Sequence, residues 1–237
     1  MKVLVIGGMH GNEPLGIGVV ERLRARPLPG VDTLLANEQA IALNSRFAET
    51  DLNRAFPGNK RALQYEPRRA TQVLEATAAY DLVLDFHNTH CPDNDCCFVG
   101  ESAWPRLYDI SVLFGLRRVI VADYDCLNKY APNCLSIEIS LDSPLCAIDI
   151  WYERIARLVQ QPIKQSQTVP ERYRFVYRMT LADRDRLRLD ERGLTAFTPI
   201  PADVAEALGV TAPAYPIFIA DAYTPYNYGG LLNKLEL

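Results

Sequence analysis

Short apolar runs closed by glycine or proline alternate along the first two thirds of the chain with longer stretches of three- and four-residue apolar spacing. Lys2-Val-Leu-Val-Ile-Gly7 is such a run and predicts a buried strand. Glu13-Pro14 opens a helix, because proline in the first turn has no N–H to leave unpaired. Leu15, Ile17, Val19, Val20 and Leu23 continue that helix until Pro27 and Gly30 end it. Thr33–Ala36 predicts a second strand, Arg68–Tyr80 a helix and Leu82–Phe86 a third strand. Trp104–Phe114 reads as helix, and Arg118–Ala122 and Leu135–Ile139 as strands. Ala147–Gln160 closes this part as a helix with Ile148, Trp151, Ile155 and Leu158 on one stripe. Strands alternating with helices predict an α/β fold whose mixed, largely parallel sheet is flanked by helices.

The rhythm changes after about Ser166. Tyr173-Arg-Phe-Val-Tyr-Arg178 alternates with the two-residue period of a half-buried strand. Short segments punctuated by Pro199, Pro201, Pro213, Pro216 and Pro225 follow, with Ile217–Ile219 as a further short strand. The pattern divides the chain into a main domain over residues 1–165 and a small, mostly β domain over 166–237.

Composition narrows the function classes. A chain of 237 residues that is 49% hydrophobic and 23% charged has material for a sizeable core. A formal net charge of −4 offers no footprint for nucleic acid or for an anionic membrane. No apolar run reaches the roughly 18 to 20 residues that span a bilayer. The Val3–Gly8 run is too short for a signal-peptide core, and His10 and Glu13 follow it directly, so a cytoplasmic protein is expected. Copies of the chain are free to associate as a homo-oligomer, which one sequence does not decide.

The six cysteines are Cys91, Cys96, Cys97, Cys126, Cys134 and Cys146. Cys91, Cys96 and Cys97 cluster, but the second Cys pair of a structural zinc site is missing. Reduced thiols in and beside a loop are expected there, with a redox or metal-storage role as the rival.

Three histidines are the whole supply, so their places carry information. His10 follows the first strand in His10-Gly-Asn-Glu13, and His87 and His90 follow the third predicted strand in Asp85-Phe-His87-Asn-Thr-His90. Ligand sites of parallel α/β sheets form at the carboxyl ends of strands, so the two segments can face one crevice. Two His and one Glu make a zinc set with a fourth position open. Asp85 is placed to fix the His87 tautomer by accepting its other ring N–H. Ordinary polar residues at strand ends remain the competing reading, and His90 is left to a loop or rim. Gly7-Gly-Met-His-Gly11 does not match G-x-G-x-x-G, and Glu13 at the helix start repels phosphate, so a dinucleotide site is not expected.

Three motifs in order carry a resemblance: Gly7-Gly-Met-His10-Gly-Asn-Glu13, Asp51-Leu-Asn53-Arg54-Ala-Phe-Pro-Gly58 and Asp85-Phe-His87-Asn-Thr89. The sequence resembles the aspartoacylase and succinylglutamate desuccinylase family, a branch of the zinc carboxypeptidase-like hydrolases. Leu135-Ser-Ile-Glu138-Ile resembles the segment with that family's catalytic glutamate, and Pro216 to Tyr223 its C-terminal β domain. The resemblance implies a zinc hydrolase catalytic domain over 1–165, one Zn2+ per chain on His10, Glu13 and His87, and Glu138 as general base and then acid. It implies Arg46 as the residue that polarises the scissile carbonyl, Asn53 and Arg54 as the holders of a substrate carboxylate, and Tyr223 as a pocket residue. A carboxylate such as Glu138 inside an otherwise apolar strand also calls for a reason of its own.

What the resemblance implies is an amidohydrolase that splits a small N-acyl amino acid into a carboxylic acid and a free amino acid. The alternatives are a succinyl-amide or carboxypeptidase-type hydrolase on the same zinc site, or a non-catalytic metal- or carboxylate-binding protein. At one place the chain departs from aspartoacylase. The arginine expected shortly before the catalytic glutamate is missing from Asp123-Tyr-Asp125-Cys-Leu-Asn128-Lys129-Tyr, where Lys129 brings charge without a two-pronged contact.

Overall fold

The computed structural model describes residues 1–161 and 167–236, so the boundary expected between 165 and 166 lies outside the described residues. In chain order the elements are β1 (Val3–Gly7), α1 (Pro14–Ala25), β2 (Val31–Leu35), α2 (Glu38–Leu43), α3 (Tyr65–Thr77), β3 (Leu82–Thr89), β4 (Cys96–Val99) and α4 (Arg106–Leu113). They continue with β5 (Arg118–Val121), α5 (Leu127–Tyr130), β6 (Cys134–Ser140), α6 (Ile148–Gln160), β7 (Glu171–Thr180), α7 (Leu181–Leu187), α8 (Ala202–Ala207), β8 (Ala214–Ile217) and β9 (Asn227–Lys234). The strands form one sheet in the order β2-β1-β3-β6-β4-β5-β7-β9-β8. Its pairs are parallel except β4–β6, β7–β9 and β8–β9, which is the mixed, largely parallel sheet the sequence predicts.

Strand alternation divides the core between the two faces. Leu82, Leu84, Phe86, Leu135, Ile137 and Ile139 pack against α1, α4 and α6, with Trp151 and Phe114 among the largest buried side chains. Val83 and Cys134 pack on the other face against Ala70 and Val73 of α3. Further along that second face β3 and β6 turn polar, at Asp85, His87, Ser136 and Glu138. The apolar covering ends there and the cleft begins.

Four expectations are corrected by the structure. His87 lies inside β3 rather than past its end, because pairing with β6 continues through Asn88↔Ile139 and Thr89↔Ser140. Cys96 and Cys97 sit on β4, paired with both β6 and β5, rather than in a loop. The short strand expected over Ile217–Ile219 ends at Ile217, where Phe218 turns left-handed with φ 54°. Finally, the strict alternation expected over Tyr173–Arg178 is broken, since the β7–β9 register shifts between Phe175 and Tyr177. In the C-terminal segment α7 and α8 pack with β9 around their own cluster of Met179, Leu189, Val204 and Leu231. Pairing of β7 with β5 makes its strands part of the same sheet. No helix among the described residues is long and apolar enough to cross a membrane.

The glycines between β1 and α1 serve close packing. A Cβ on Gly7 would lie 2.2 Å from the Gly16 carbonyl oxygen of α1, and one on Gly11 would lie 2.0 Å from the Ala40 carbonyl carbon of α2. Only a residue without a side chain lets the His10 turn seat between these two backbones. Gly7→Ala should therefore cost about 1–3 kcal/mol of stability through overpacking. Urea denaturation checks this, and an unchanged midpoint would refute it.

Candidate active site

The register of β3 against β6 sets the floor of the cleft. His87 pairs directly with Glu138 and Asp85 with Ser136, and in a parallel ladder paired residues share a face. Glu138 is the one position of β6 that is not fully buried, so its carboxyl opens onto the cleft. Burial pushes its pKa well above the usual carboxylate range. The charges of Glu13 and Asp221 add to this, while His87 and Arg46 oppose it.

His10 and Glu13 reach the same place from the turn after β1. His10 Nδ1 lies 2.6 Å from Glu13 Oε1, and His87 Nδ1 lies 3.0 Å from Glu13 Oε2. The outer nitrogens are anchored by carboxylates: His87 Nε2 donates to Asp85 Oδ2 at 2.9 Å and His10 Nε2 to Asp51 Oδ1 at 3.2 Å. Those bonds place the N–H on Nε2 and turn both Nδ1 atoms inward. All three residues are buried, and one ligand atom from each falls within 4.8 Å of the others. Two inward imidazole nitrogens and one carboxylate in a buried pocket fit a divalent cation with nitrogen and oxygen preference. Burial alone would lower the His87 pKa, but Asp85 and Glu13 outweigh it and hold the imidazole well above its ordinary range. Burial alone would raise the Glu13 carboxyl, yet His10 and His87 hold it far below the usual range.

Arg46 and the Asp51-Leu-Asn53-Arg54 motif enter on the loop after α2. Asp51 organises this loop. Its Oδ2 accepts from Arg46 Nε at 3.2 Å and Nη2 at 3.1 Å, and its Oδ1 accepts from the Asn53 N–H at 2.9 Å. Arg46 Nη1 then lies 3.5 Å from Glu13 Oε1, next to the histidine cluster. Asn53 Oδ1 accepts from the Leu127 N–H at 3.2 Å. Among the described residues its amide NH2 has no hydrogen-bond partner. Arg54 donates to the Asn53 carbonyl at 2.8 Å and lies over the Tyr124 ring at 4.7 Å.

The loop itself hangs from Glu66, a fully buried carboxylate in the first turn of α3. Glu66 accepts from the backbone N–H groups of Ala48 at 2.7 Å, Glu49 at 3.2 Å and Thr50 at 3.2 Å, and from Asn37 Nδ2 at 3.3 Å. On the helix side, Asn88 Oδ1 accepts from the Leu15 N–H at 2.9 Å and caps α1, whose own first residues supply no side-chain cap.

Tyr223 lines the cleft as expected, with its hydroxyl donating to the Asn12 carbonyl at 3.0 Å. Burial pushes its phenol up to about 12. Asp221 holds this segment down, accepting from the Tyr223 N–H at 3.0 Å and from the Thr89 hydroxyl at 2.5 Å. The exposed His90 packs against Tyr223 with its ring tilted by 51° and 4.2 Å between ring centroids, and forms the rim. Lys129 does not line the cleft; it pairs with Asp125 at 3.0 Å on the surface. The cleft encloses about 830 Å³ including its open mouth, and Phe98, Tyr124, Phe175, Arg178 and Phe218 complete its wall.

The structure brings eight of the residues named from the sequence to one cleft: His10, Glu13, Arg46, Asn53, Arg54, His87, Glu138 and Tyr223. The cysteines take no part in the cluster. All six are free thiols, and burial pushes Cys91 up to about 12 and Cys96 well above its ordinary value. Sequence reasoning missed Glu66, Asp51 as a clamp, and Arg178. Glu66 had a signal, since it shares a helical stripe with Ala70, Val73 and Thr77 and is the sole charge on it.

The family model for the succinylglutamate desuccinylase/aspartoacylase catalytic domain matches residues 1–132. The "Probable aspartoacylase" of Trichodesmium erythraeum is 38% identical over 103 residues, covering 37% of this chain and 35% of that protein. The chain thus spans about a third of the length of the curated relatives it matches. Two solved structures share the fold. The succinylglutamate desuccinylase of Chromobacterium violaceum has a TM-score of 0.73 at 17% identity, covering 100% of this chain and 85% of its own. Murine aminoacylase 3 has a TM-score of 0.71 at 21% identity, covering 99% of this chain and 95% of its own.

Glu66→Gln turns an acceptor oxygen into a donor facing backbone N–H groups. It should cost about 1–3 kcal/mol of stability, as leaving buried donors unpaired does elsewhere. A urea titration of the variant that overlays the parent would remove Glu66 as the anchor of the loop.

Proposed function

The chain belongs to the succinylglutamate desuccinylase/aspartoacylase family, and on that premise we propose that it is a zinc-dependent amidohydrolase cleaving an N-acyl amino acid into a carboxylic acid and a free amino acid. The observation that carries this reading is the convergence of the buried His10–Glu13–His87 cluster, the half-buried Glu138 carboxyl and the clamped Arg46 guanidinium in one cleft.

His10, Glu13 and His87 would hold the zinc ion, with Asp51 and Asp85 fixing the two imidazole tautomers. When bound, zinc supplies Lewis acidity that polarises a carbonyl and eases the ionisation of water. Glu138 acts as the proton carrier. It takes the proton of the attacking water and returns it to the leaving amine nitrogen, a role suited to a carboxyl whose pKa burial lifts well above the usual carboxylate range. Arg46, held by Asp51, meets the negative charge that develops on the carbonyl oxygen. The Asn53 amide NH2 and the Arg54 fork hold the substrate carboxylate and thereby orient the amide bond.

Three outcomes test these roles. His87→Ala should lose most of the bound metal while staying folded, and wild-type zinc content by elemental analysis would refute the ligand set. Glu138→Gln should keep its zinc and lose about 10²- to 10⁴-fold in kcat on a hydrolysed N-acyl amino acid, as removal of a general base does. Near-parental turnover would take Glu138 out of the mechanism. Arg46→Lys should lower kcat with little change in KM, whereas Arg54→Lys should chiefly raise KM, because only the second partner charge exists before the transition state. Steady-state kinetics showing one pattern for both would overturn the assignment.

A further inference from the structure

The cleft carries more positive charge than the proposed reaction uses. Arg178 lines it from β7, and among the described residues no carboxylate forms an ion pair with it. Its guanidinium carbon lies 5.6 Å from the centroid of the Tyr124 ring, and that of Arg54 lies 4.7 Å from the same centroid. Two cations therefore share one aromatic ring at the cleft wall. Burial depresses the Arg178 pKa and the Arg54 charge depresses it further, so the pair repel one another where water is partly excluded. Arginine stays charged under such pressure, and an anion placed beside both relieves it.

The backbone of β7 is shaped to put Arg178 there. In a regular strand Phe175 and Arg178, three residues apart, face opposite sides. At the register shift between Phe175 and Tyr177, Val176 is the extra residue on β7, and it reverses the alternation. Phe175 and Arg178 consequently both line the cleft, while Tyr177 and Met179 pack into the C-terminal apolar cluster. The bulge aims a charged fork into a cavity where, among the described residues, no carboxylate pairs with it. Lys129, the cation the sequence offers near this wall, is already paired outside the cleft.

We infer that Arg178 is a specificity-determining residue that holds a second substrate carboxylate, beyond the one assigned to Asn53 and Arg54. Its activity readout rests on the amidohydrolase reading above; its binding readout does not. The second carboxylate has two sources, the side chain of the released amino acid or the far end of the acyl group.

The experiment compares zinc-loaded wild type, Arg178→Met and Arg178→Lys on N-acetylaspartate, N-succinylleucine, N-acetylleucine and N-acetyltyrosine. Wild type should favour one of the two dicarboxylates over both monocarboxylates, and that one identifies the source. Arg178→Met should lower kcat/KM for it by about 10- to 100-fold, mainly through KM, as loss of a charge-assisted contact does. N-Acetylleucine hydrolysis should fall far less and reports that the variant is folded. Arg178→Lys should lie between the two, keeping charge and losing the fork. An equal fall on all substrates, no fall on any, or a wild-type preference for a monocarboxylate would overturn the inference. Should wild type cleave none of the four, the amidohydrolase reading fails. Calorimetric titration with succinate and acetate then decides: a loss of succinate affinity specific to Arg178→Met supports the second carboxylate site, and equal affinities reject it.

Discussion

The parallel ladder between β3 and β6 is the constraint on which the cleft depends. It lies near the middle of the sheet and sets Asp85 beside Ser136 and His87 beside Glu138. A slip of one residue in either strand would send one member of each pair to the opposite face, among the side chains packed on α1 and α6. The apolar residues of both strands forbid that slip, since Leu84, Phe86, Leu135 and Ile137 would have to surface into the cleft in exchange. Hydrophobic burial on one face thus fixes polar geometry on the other.

Around this floor the nitrogens of His10, His87 and Arg46 are each held by a carboxylate. Asp85 holds His87, and Asp51 holds both His10 and Arg46. Glu66 holds the backbone from which Asp51 and Arg46 hang. Burying so many charges is costly unless each finds a partner with good geometry. Here the partners are shared, so one carboxylate satisfies several donors. Asp51 takes an imidazole, a guanidinium and a backbone N–H together.

Much of this was legible from the sequence because its signals are local. Strand and helix periodicity located the parallel core, three ordered motifs located the His10–Glu13–His87 cluster with Asn53 and Arg54, and the resemblance added Arg46 and the segment of Glu138. His87 was read as lying past its strand because the run read as strand, Leu82–Phe86, ends before it; the pairing with Ile139 and Ser140 that keeps Asn88 and Thr89 in the ladder is 51 residues away. Asp51 could not be assigned to His10 for the same reason, the two being separated by 41 residues and joined only by folding. Arg178 was hidden by a different cause. The alternation over Tyr173–Arg178 is a sound strand signal, and a single inserted residue inverts its meaning without altering its composition.

The β7–β9 ladder has a second irregularity, between Met179 and Thr180, where the extra residue, Tyr228, lies on β9 instead. The two insertions fall on opposite strands, so each strand contributes one and the count of paired residues is restored across the interval. The disturbance is therefore closed. Tyr177, Arg178 and Met179 are turned over as a block, and the turn at Thr180 that starts the capping box of α7 meets its partner strand in step. A sheet edited in this way can exchange the side chains it shows to a ligand over three residues while the strands beyond keep their pairing. The cleft wall is in that sense a replaceable tile set into a fixed frame.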